Sequence, residues 1–149
     1  MSEPCASAFT LPATLNSLPL LGERLRQFLA PRQLAESWIF MLDLALCEAA
    51  TNIIRHGYRQ DKGESYHVTF SADARQVIVT LRDEGQPIPP ALLQAAASGG
   101  QPEPAALAEL AESGRGLRLI YDCVDEVSYQ QQGAANLMIL RKNLPPAGA

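Results

Sequence analysis

The chain has 149 residues, of which 47% are hydrophobic and 19% charged. This length and composition predict one domain, residues 1–149, which is ordered over about residues 8–143 and needs no disulfide or structural metal. Its 16 acidic and 12 basic residues give a formal charge of -4, and the basic residues are scattered, which disfavours nucleic acid as a partner. The cysteines Cys5, Cys47 and Cys123 lie far apart, and the sequence has no apolar run of about 18 residues and no secretory leader. A cytoplasmic protein without a membrane segment is predicted.

The first half of the chain predicts a strand and two helices. These elements are a strand at residues 8–13, a helix at residues 17–30, and a longer helix from Pro31 or Gln33 to His56. Apolar residues recur at helical spacing through both helices. Gly57 is expected to close the longer helix, because glycine adopts the left-handed conformation at little cost.

The second half of the chain predicts two pairs of antiparallel strands separated by a mobile segment. The predicted strands are residues 64–71, 76–82, 126–131 and 136–142. Residues 86–113 are rich in proline and alanine and are predicted to form a lid. A third helix is predicted from Gly114 to Cys123. Helices and antiparallel strands in this order indicate a two-layer α/β sandwich.

Two polar side chains lie on the long predicted helix, away from its apolar face. At about 100° per residue, the apolar face that should pack on the sheet consists of Ile39, Leu42, Leu46, Ala49, Ala50 and Ile53. Glu48 and Asn52 fall on the opposite side, one turn apart, so that both can address one ligand, with Arg55 beside them. A solvated polar face is the alternative, but Met41 and Leu44 on the same side indicate that something covers it.

A second candidate is Asp83, which ends a predicted strand. It shares the parity of the apolar residues Val77, Val79 and Leu81, so its carboxylate is expected to point to their side. A carboxylate in such surroundings needs a hydrogen-bond donor, and the amino group of a purine could supply one. The alternative is an ordinary turn, since Asp and Gly are common turn residues.

A third candidate is the run Ser113-Gly114-Arg115-Gly116-Leu117-Arg118, which opens a predicted helix. Free backbone N–H groups and the helix dipole at such a start favour an anion such as phosphate. The alternative is a glycine-rich helix start with a solvated arginine.

In their order along the chain, these clusters resemble the GHKL ATPases, and specifically the anti-sigma-factor serine/threonine kinases of the RsbW/SpoIIAB type. The run Glu48-Ala49-Ala50-Thr51-Asn52-Ile53-Ile54-Arg55-His56-Gly57-Tyr58 is similar to their N-box. Asp83-Glu84-Gly85 resembles their first glycine box, and Gly114-Arg115-Gly116-Leu117 resembles the second. The resemblance spans residues 42–141. The chain departs from the pattern at Pro87 and Arg118, where the wider superfamily often has glycine, and in the length of its lid.

The resemblance implies the Bergerat ATP-binding fold, an α+β sandwich with a mixed, largely antiparallel sheet, and ATP or ADP with Mg²⁺ as ligands. It implies that Glu48 is the catalytic base for an attacking hydroxyl and that Asn52 coordinates magnesium, which prefers oxygen ligands. It places Asp83 at the adenine amino group and Gly85 close to the base. The other nucleotide-binding residues that it implies are Arg55, Gly114, Arg115, Gly116 and Leu117.

The function that the resemblance implies is that of an ATP- and magnesium-dependent protein serine/threonine kinase in bacterial partner switching. Such a kinase is expected to be a homodimer, to phosphorylate a STAS-domain anti-anti-sigma protein, and to sequester a sigma factor. Phosphate adds charge to an interface and weakens it, which frees the kinase for its other partner. Two alternatives stay open: a nucleotide-gated binding module that transfers no phosphate, and a kinase that controls an effector other than a sigma factor.

Overall fold

A five-stranded sheet forms one layer of the fold. The computed structural model describes residues 5–58, 63–98 and 116–146. Its strands are β1 (Cys5–Pro12), β2 (Ser65–Ala72), β3 (Gln76–Asp83), β4 (Glu126–Gln132) and β5 (Ala135–Asn143). They lie in the order β1-β2-β3-β5-β4, and each of these pairings is antiparallel. The predicted α+β class is confirmed, and the described sheet is antiparallel rather than mixed.

Short turns impose the antiparallel pairing on the strands that are neighbours in sequence. In the turn between β2 and β3, Asp73 Oδ1 accepts hydrogen bonds from the backbone N–H groups of Arg75 (2.7 Å) and Gln76 (2.9 Å). β4 and β5 are joined at Gly133, whose φ of 63° lies in the left-handed region. Turns this short can join only antiparallel strands, so both predicted strand pairs are confirmed.

The described helices form the second layer, and α2 is their centre. They are α1 (Leu18–Leu29), α2 (Glu36–Asn52), α3 (Pro90–Ser98) and α4 (residues 116–123), with 3₁₀ turns at Leu15–Ser17 and Ala30–Arg32. α2 begins later than the predicted Pro31 or Gln33. The reason is local: Gln33 has a φ of 52° and Ala35 is extended, so the chain leaves helical geometry before α2 starts.

The end of α2 also differs from the sequence prediction. The helix passes into a π-helical turn, Ile53–Gly57, in which the N–H of Tyr58 donates to the carbonyl of Ile53 over 2.8 Å. The prediction that Gly57 adopts the left-handed conformation is wrong, since the described glycines with positive φ are Gly63 and Gly133. The π turn ends at Tyr58, which has a right-handed backbone conformation.

The core lies between the sheet and α1, α2 and α4. The predicted apolar face of α2 is buried throughout, with Leu42, Leu46 and Ala50 at 0% exposure. Alternate residues of β2 and β3 meet this face and are fully buried: Tyr66, Val68, Phe70, Val77, Val79 and Leu81. α1 adds Leu21, Leu25 and Leu29 to the same cluster. The two predicted layers are confirmed.

The apolar character of α2 reflects its place in this core. The stretch Glu36–Gly57 has 22 residues, and its most apolar 18-residue window has a mean hydropathy of 1.4, which by length and composition alone would suffice to cross a membrane. Half of the most apolar window is buried inside the protein. A central helix that packs on a sheet accounts for this composition.

Candidate functional site

A cavity of about 300 Å³ lies where the π turn after α2, the loop after β3 and the start of α4 meet. Its walls are largely apolar and include Ala49, Ile53, Ile88, Leu92, Leu117 and Met138. Asp83, at the end of β3, is its carboxylate. A largely apolar cavity with one anionic acceptor suits a heteroaromatic base that carries an amino group.

Asp83 reaches this cavity from the buried face of the sheet, as its parity on β3 predicts. It is only 6% exposed, and its Oδ1 accepts hydrogen bonds from the backbone N–H of Gly85 (2.9 Å) and from Nδ2 of Asn136 (3.0 Å). Burial raises the pKa of Asp83, and these two hydrogen bonds oppose that rise. The donors that a buried carboxylate requires are therefore supplied partly by the protein itself.

Asn136 is a site residue that the sequence analysis missed. It is 1% exposed on β5, directly opposite Asp83 in the register of β3 and β5. The signal in the sequence is a polar amide directly before the apolar run Leu137–Leu140. Its partner on β3 could not be identified from the sequence, because β3 and β5 are far apart in the chain.

Two tyrosines hold the loop that follows β3. Tyr58 Oη accepts a hydrogen bond from the backbone N–H of Glu84 (2.7 Å), and Tyr129 Oη accepts one from the N–H of Ile88 (2.9 Å). Tyr58 closes the π turn and Tyr129 lies on β4, so the loop is fastened on two sides. This loop forms one rim of the cavity.

Gly85 lies against the backbone of Gly57 at the edge of the cavity. A Cβ atom on Gly85 would be 2.6 Å from the carbonyl carbon and oxygen of Gly57. The N–H of Gln86 donates to that same carbonyl over 2.8 Å. The described contact of Gly85 is thus with the end of the π turn, a close approach that only glycine permits.

Gly85→Ala is expected to destabilise the protein by about 1–3 kcal/mol, because the methyl group meets rigid backbone rather than a mobile side chain. The matched control is Gly57→Ala, whose Cβ would find its nearest atoms at 3.6 Å or more, an ordinary contact distance. Urea unfolding of the two variants measures the difference. Equal stability of both would show that the loop is free to move away.

A second cavity, of about 330 Å³, adjoins the first along the polar side of α2. Asn52, Arg55 and His56 line both cavities, while Glu48, Thr51 and Gly116 line the second alone. Arg55 is exposed at the surface. Asn52 thus lies where the two cavities adjoin, and Glu48, one turn earlier on α2, lines the second cavity with it.

Asn52 does not lie on a solvated face. It is 8% exposed, and its buried Nδ2 atom has no hydrogen-bond partner among the described residues. A buried amide nitrogen without a partner is costly, so the described fold leaves this side chain incompletely satisfied. The amide of Asn52 also carries an oxygen, the ligand type that magnesium prefers, and Asn52 lines both cavities. The residue present therefore fits the metal that the resemblance implies.

Gly116, the first described residue of α4, covers the carboxylate of Glu48. A Cβ atom on Gly116 would lie 2.6 Å from Glu48 Oε2. The expectation that something covers this side of α2 is met here by α4. Leu117, which follows, is 1% exposed and lines the first cavity. The predicted Gly114 and Arg115 lie outside the described residues, as does the predicted lid from residue 99 to 113.

Arg118, one departure from the glycine pattern, has a contact of its own. Its Nη1 donates to the carbonyl of Ala96 over 3.1 Å, and its Nη2 pairs with Asp122 over 3.0 Å. Ala96 belongs to α3, so this arginine ties the start of α4 to the last described turn of α3.

Comparisons with known proteins agree with this fold. The model of the family described as histidine kinase-like ATPase domain matches residues 11–142. The RsbU and RsbW domains of Rv1364c from Mycobacterium tuberculosis are 23% identical with a TM-score of 0.60, over 96% of this chain and 34% of that one. The SiaB–SiaC complex from Pseudomonas aeruginosa is 20% identical with a TM-score of 0.61, over 93% and 89%.

The chain spans about a third of the mycobacterial chain, and at these identities the likeness concerns the fold. No curated protein matches the chain.

Proposed function

The chain belongs to the histidine kinase-like ATPase domain family, and from this membership and its site we propose that it is a magnesium- and ATP-dependent protein serine/threonine kinase of the partner-switching type. One observation carries the proposal beyond nucleotide binding. Glu48 lines the second cavity one helical turn from Asn52, which lines both cavities. A protein that only held a nucleotide would need no carboxylate at that position.

The first cavity is proposed as the adenine site. Asp83 would accept a hydrogen bond from the exocyclic amino group, and the apolar walls formed by Ile53, Leu117 and Met138 would cover the faces of the ring. The triphosphate would then extend past Asn52 toward the start of α4. The N–H groups at that helix start favour negative charge.

Magnesium would be held by Asn52 together with the phosphates, and when bound it neutralises phosphate charge. Glu48 is proposed as the general base for the transfer. Its carboxylate takes the proton of a serine or threonine hydroxyl as that oxygen bonds to the γ-phosphorus and the bond to the β-phosphate oxygen breaks, releasing ADP. Phosphoryl transfer depends mainly on positioning and charge stabilisation, which a carboxylate on a rigid helix provides.

The proposed acceptor is a STAS-domain anti-anti-sigma protein, with a sigma factor as the second partner and a cytoplasmic homodimer as the working form. The N-box run supports this through its similarity to kinases of the RsbW/SpoIIAB type. The fold shared with the structure of the RsbU and RsbW domains of Rv1364c and with a chain of the SiaB–SiaC complex is consistent with it.

Incubation with Mg²⁺, γ-labelled ATP and a STAS-domain protein is expected to place label on a serine or threonine of that protein. Asn52→Ala should abolish transfer and the nucleotide-induced rise in Tm, because the phosphates lose their partner on α2. The matched control is Asn143→Ala, at an exposed position of β5.

Two results would contradict the kinase proposal in different ways. A nucleotide-dependent complex without labelled acceptor would favour the binding-module alternative. A folded wild type whose Tm does not respond to ATP or ADP would remove the nucleotide site altogether.

A further inference from the structure

The side chain of Asn136 connects three parts of the nucleotide cavity's polar end. Its Nδ2 donates to Asp83 Oδ1 over 3.0 Å and to the carbonyl of Gly85 over 2.9 Å, and its Oδ1 accepts from Gln131 Nε2 over 3.4 Å. With 1% exposure, it has no contact with bulk water. The amide therefore bridges β5, the end of β3 and the loop after it.

Chemistry fixes the orientation of this amide. Asp83 Oδ1 and the carbonyl of Gly85 are both acceptors, so only the NH₂ end of Asn136 can face them. The reversed amide would set oxygen against two oxygens inside the core. Asn136 is thus held in one rotamer, and its two N–H bonds are directed by the fold.

The hydrogen bond from Asn136 in turn fixes the orientation of the carboxylate of Asp83. Oδ1 receives two N–H donors, from Asn136 and Gly85, whereas no donor to Oδ2 is found among the described residues. Asp83 lines the cavity, so Oδ2 is the oxygen that can meet a ligand. Hydrogen bonds from Asn136 and Gly85 also oppose the effect of burial on the pKa of Asp83, which favours the ionised form.

We propose that Asn136 is a positioning residue that makes the cavity selective for purine nucleotides with a 6-amino group over those with a 6-oxo group. It acts through Asp83: an ionised carboxylate with a fixed free oxygen accepts from an amino group and repels a carbonyl oxygen. This inference rests on the proposed nucleotide site. It adds a residue on β5 to the residues that the family resemblance implies.

The test compares the affinities of ADP and inosine diphosphate, each with Mg²⁺, for the full chain by calorimetry. Wild type is expected to prefer ADP. Asn136→Leu should weaken the binding of ADP about tenfold while the affinity for inosine diphosphate changes little. The ratio of the two dissociation constants should therefore fall about tenfold. Asn143→Leu is the matched control, the same substitution on the same strand at an exposed residue whose described hydrogen bonds use its backbone.

A purely structural role predicts a different result. If Asn136→Leu weakened both nucleotides equally, or left the preference for ADP intact, the inference would be overturned. Asn136→Thr, which keeps one donor, is expected to retain part of the preference, and it serves as the readout if the leucine variant does not fold. A preference equal to that of wild type in the threonine variant would also overturn the inference.

The proposed function fails separately. If folded wild type binds neither nucleotide, the nucleotide site itself is wrong. If wild type binds both equally, nucleotide binding stands and the selectivity inferred for Asn136 and Asp83 is wrong.

Discussion

Replacing Glu48 with Gln is expected to slow phosphoryl transfer by about 10²–10⁴-fold while nucleotide binding is retained. The amide has the shape of the carboxylate but cannot take the proton of the acceptor hydroxyl at neutral pH. Glu48 lines the second cavity and not the first, so the proposed base-binding slot is left unchanged. Single-turnover transfer from γ-labelled ATP measures the rate, and the ADP-induced shift in Tm measures binding.

The same carboxylate can be displaced without being removed. A Cβ atom on Gly116 would meet Glu48 Oε2, the end of a flexible side chain, so Gly116→Ala is expected to fold and to lower the transfer rate. The matched control for the loss of charge is Glu23→Gln, at an exposed position on α1. Full transfer activity in Glu48→Gln would show that the acceptor needs no base at this position.

Asp83→Asn is expected to weaken adenine nucleotide binding by about a hundredfold. Two N–H donors face Oδ1, so the amide oxygen must take that place and its NH₂ must face the cavity. A donor would then oppose the amino group of the base. The loss corresponds to a hydrogen bond to a charged group, roughly 1.5–3 kcal/mol.

A thermal melt with and without Mg²⁺ and ADP measures the loss of nucleotide binding in Asp83→Asn. A ligand at 100 times its Kd stabilises a protein by about 2.7 kcal/mol, which is several degrees for a chain of this size. The matched control is Glu84→Gln, the neighbouring carboxylate, which is exposed. If Asp83→Asn kept the full shift while remaining folded, the base would not bind at Asp83.

The periodicity of the sequence was sufficient to locate the strands and helices whose apolar residues follow a regular spacing. Alternating apolar residues placed β2 and β3 and set the inward direction of Asp83, and helical spacing identified the buried face of α2. The spacing of Glu48 and Asn52 placed both on one side of that helix. Such patterns are readable because side-chain direction follows from backbone geometry within a few residues.

The ends of α2 depended on backbone conformations that local propensity does not specify. Gln33 adopts a positive φ, which delays the helix start, and a π turn replaces the expected left-handed Gly57. Gly85 packs against that turn, so the shape of the turn and the loop after β3 are adapted to each other. The conformation of the π turn therefore depends on its contact with Gly85, which lies far from it in the sequence.

The two contacts that define the site were decided only by the tertiary structure. Asn136 reaches Asp83 because β5 pairs with β3, and Gly116 covers Glu48 because α4 packs beside α2. Neither contact has a local signature, since each joins residues more than fifty positions apart. The sequence alone indicated the candidate side chains Glu48, Asn52 and Asp83, whereas long-range pairing of strands and packing of helices determined their partners.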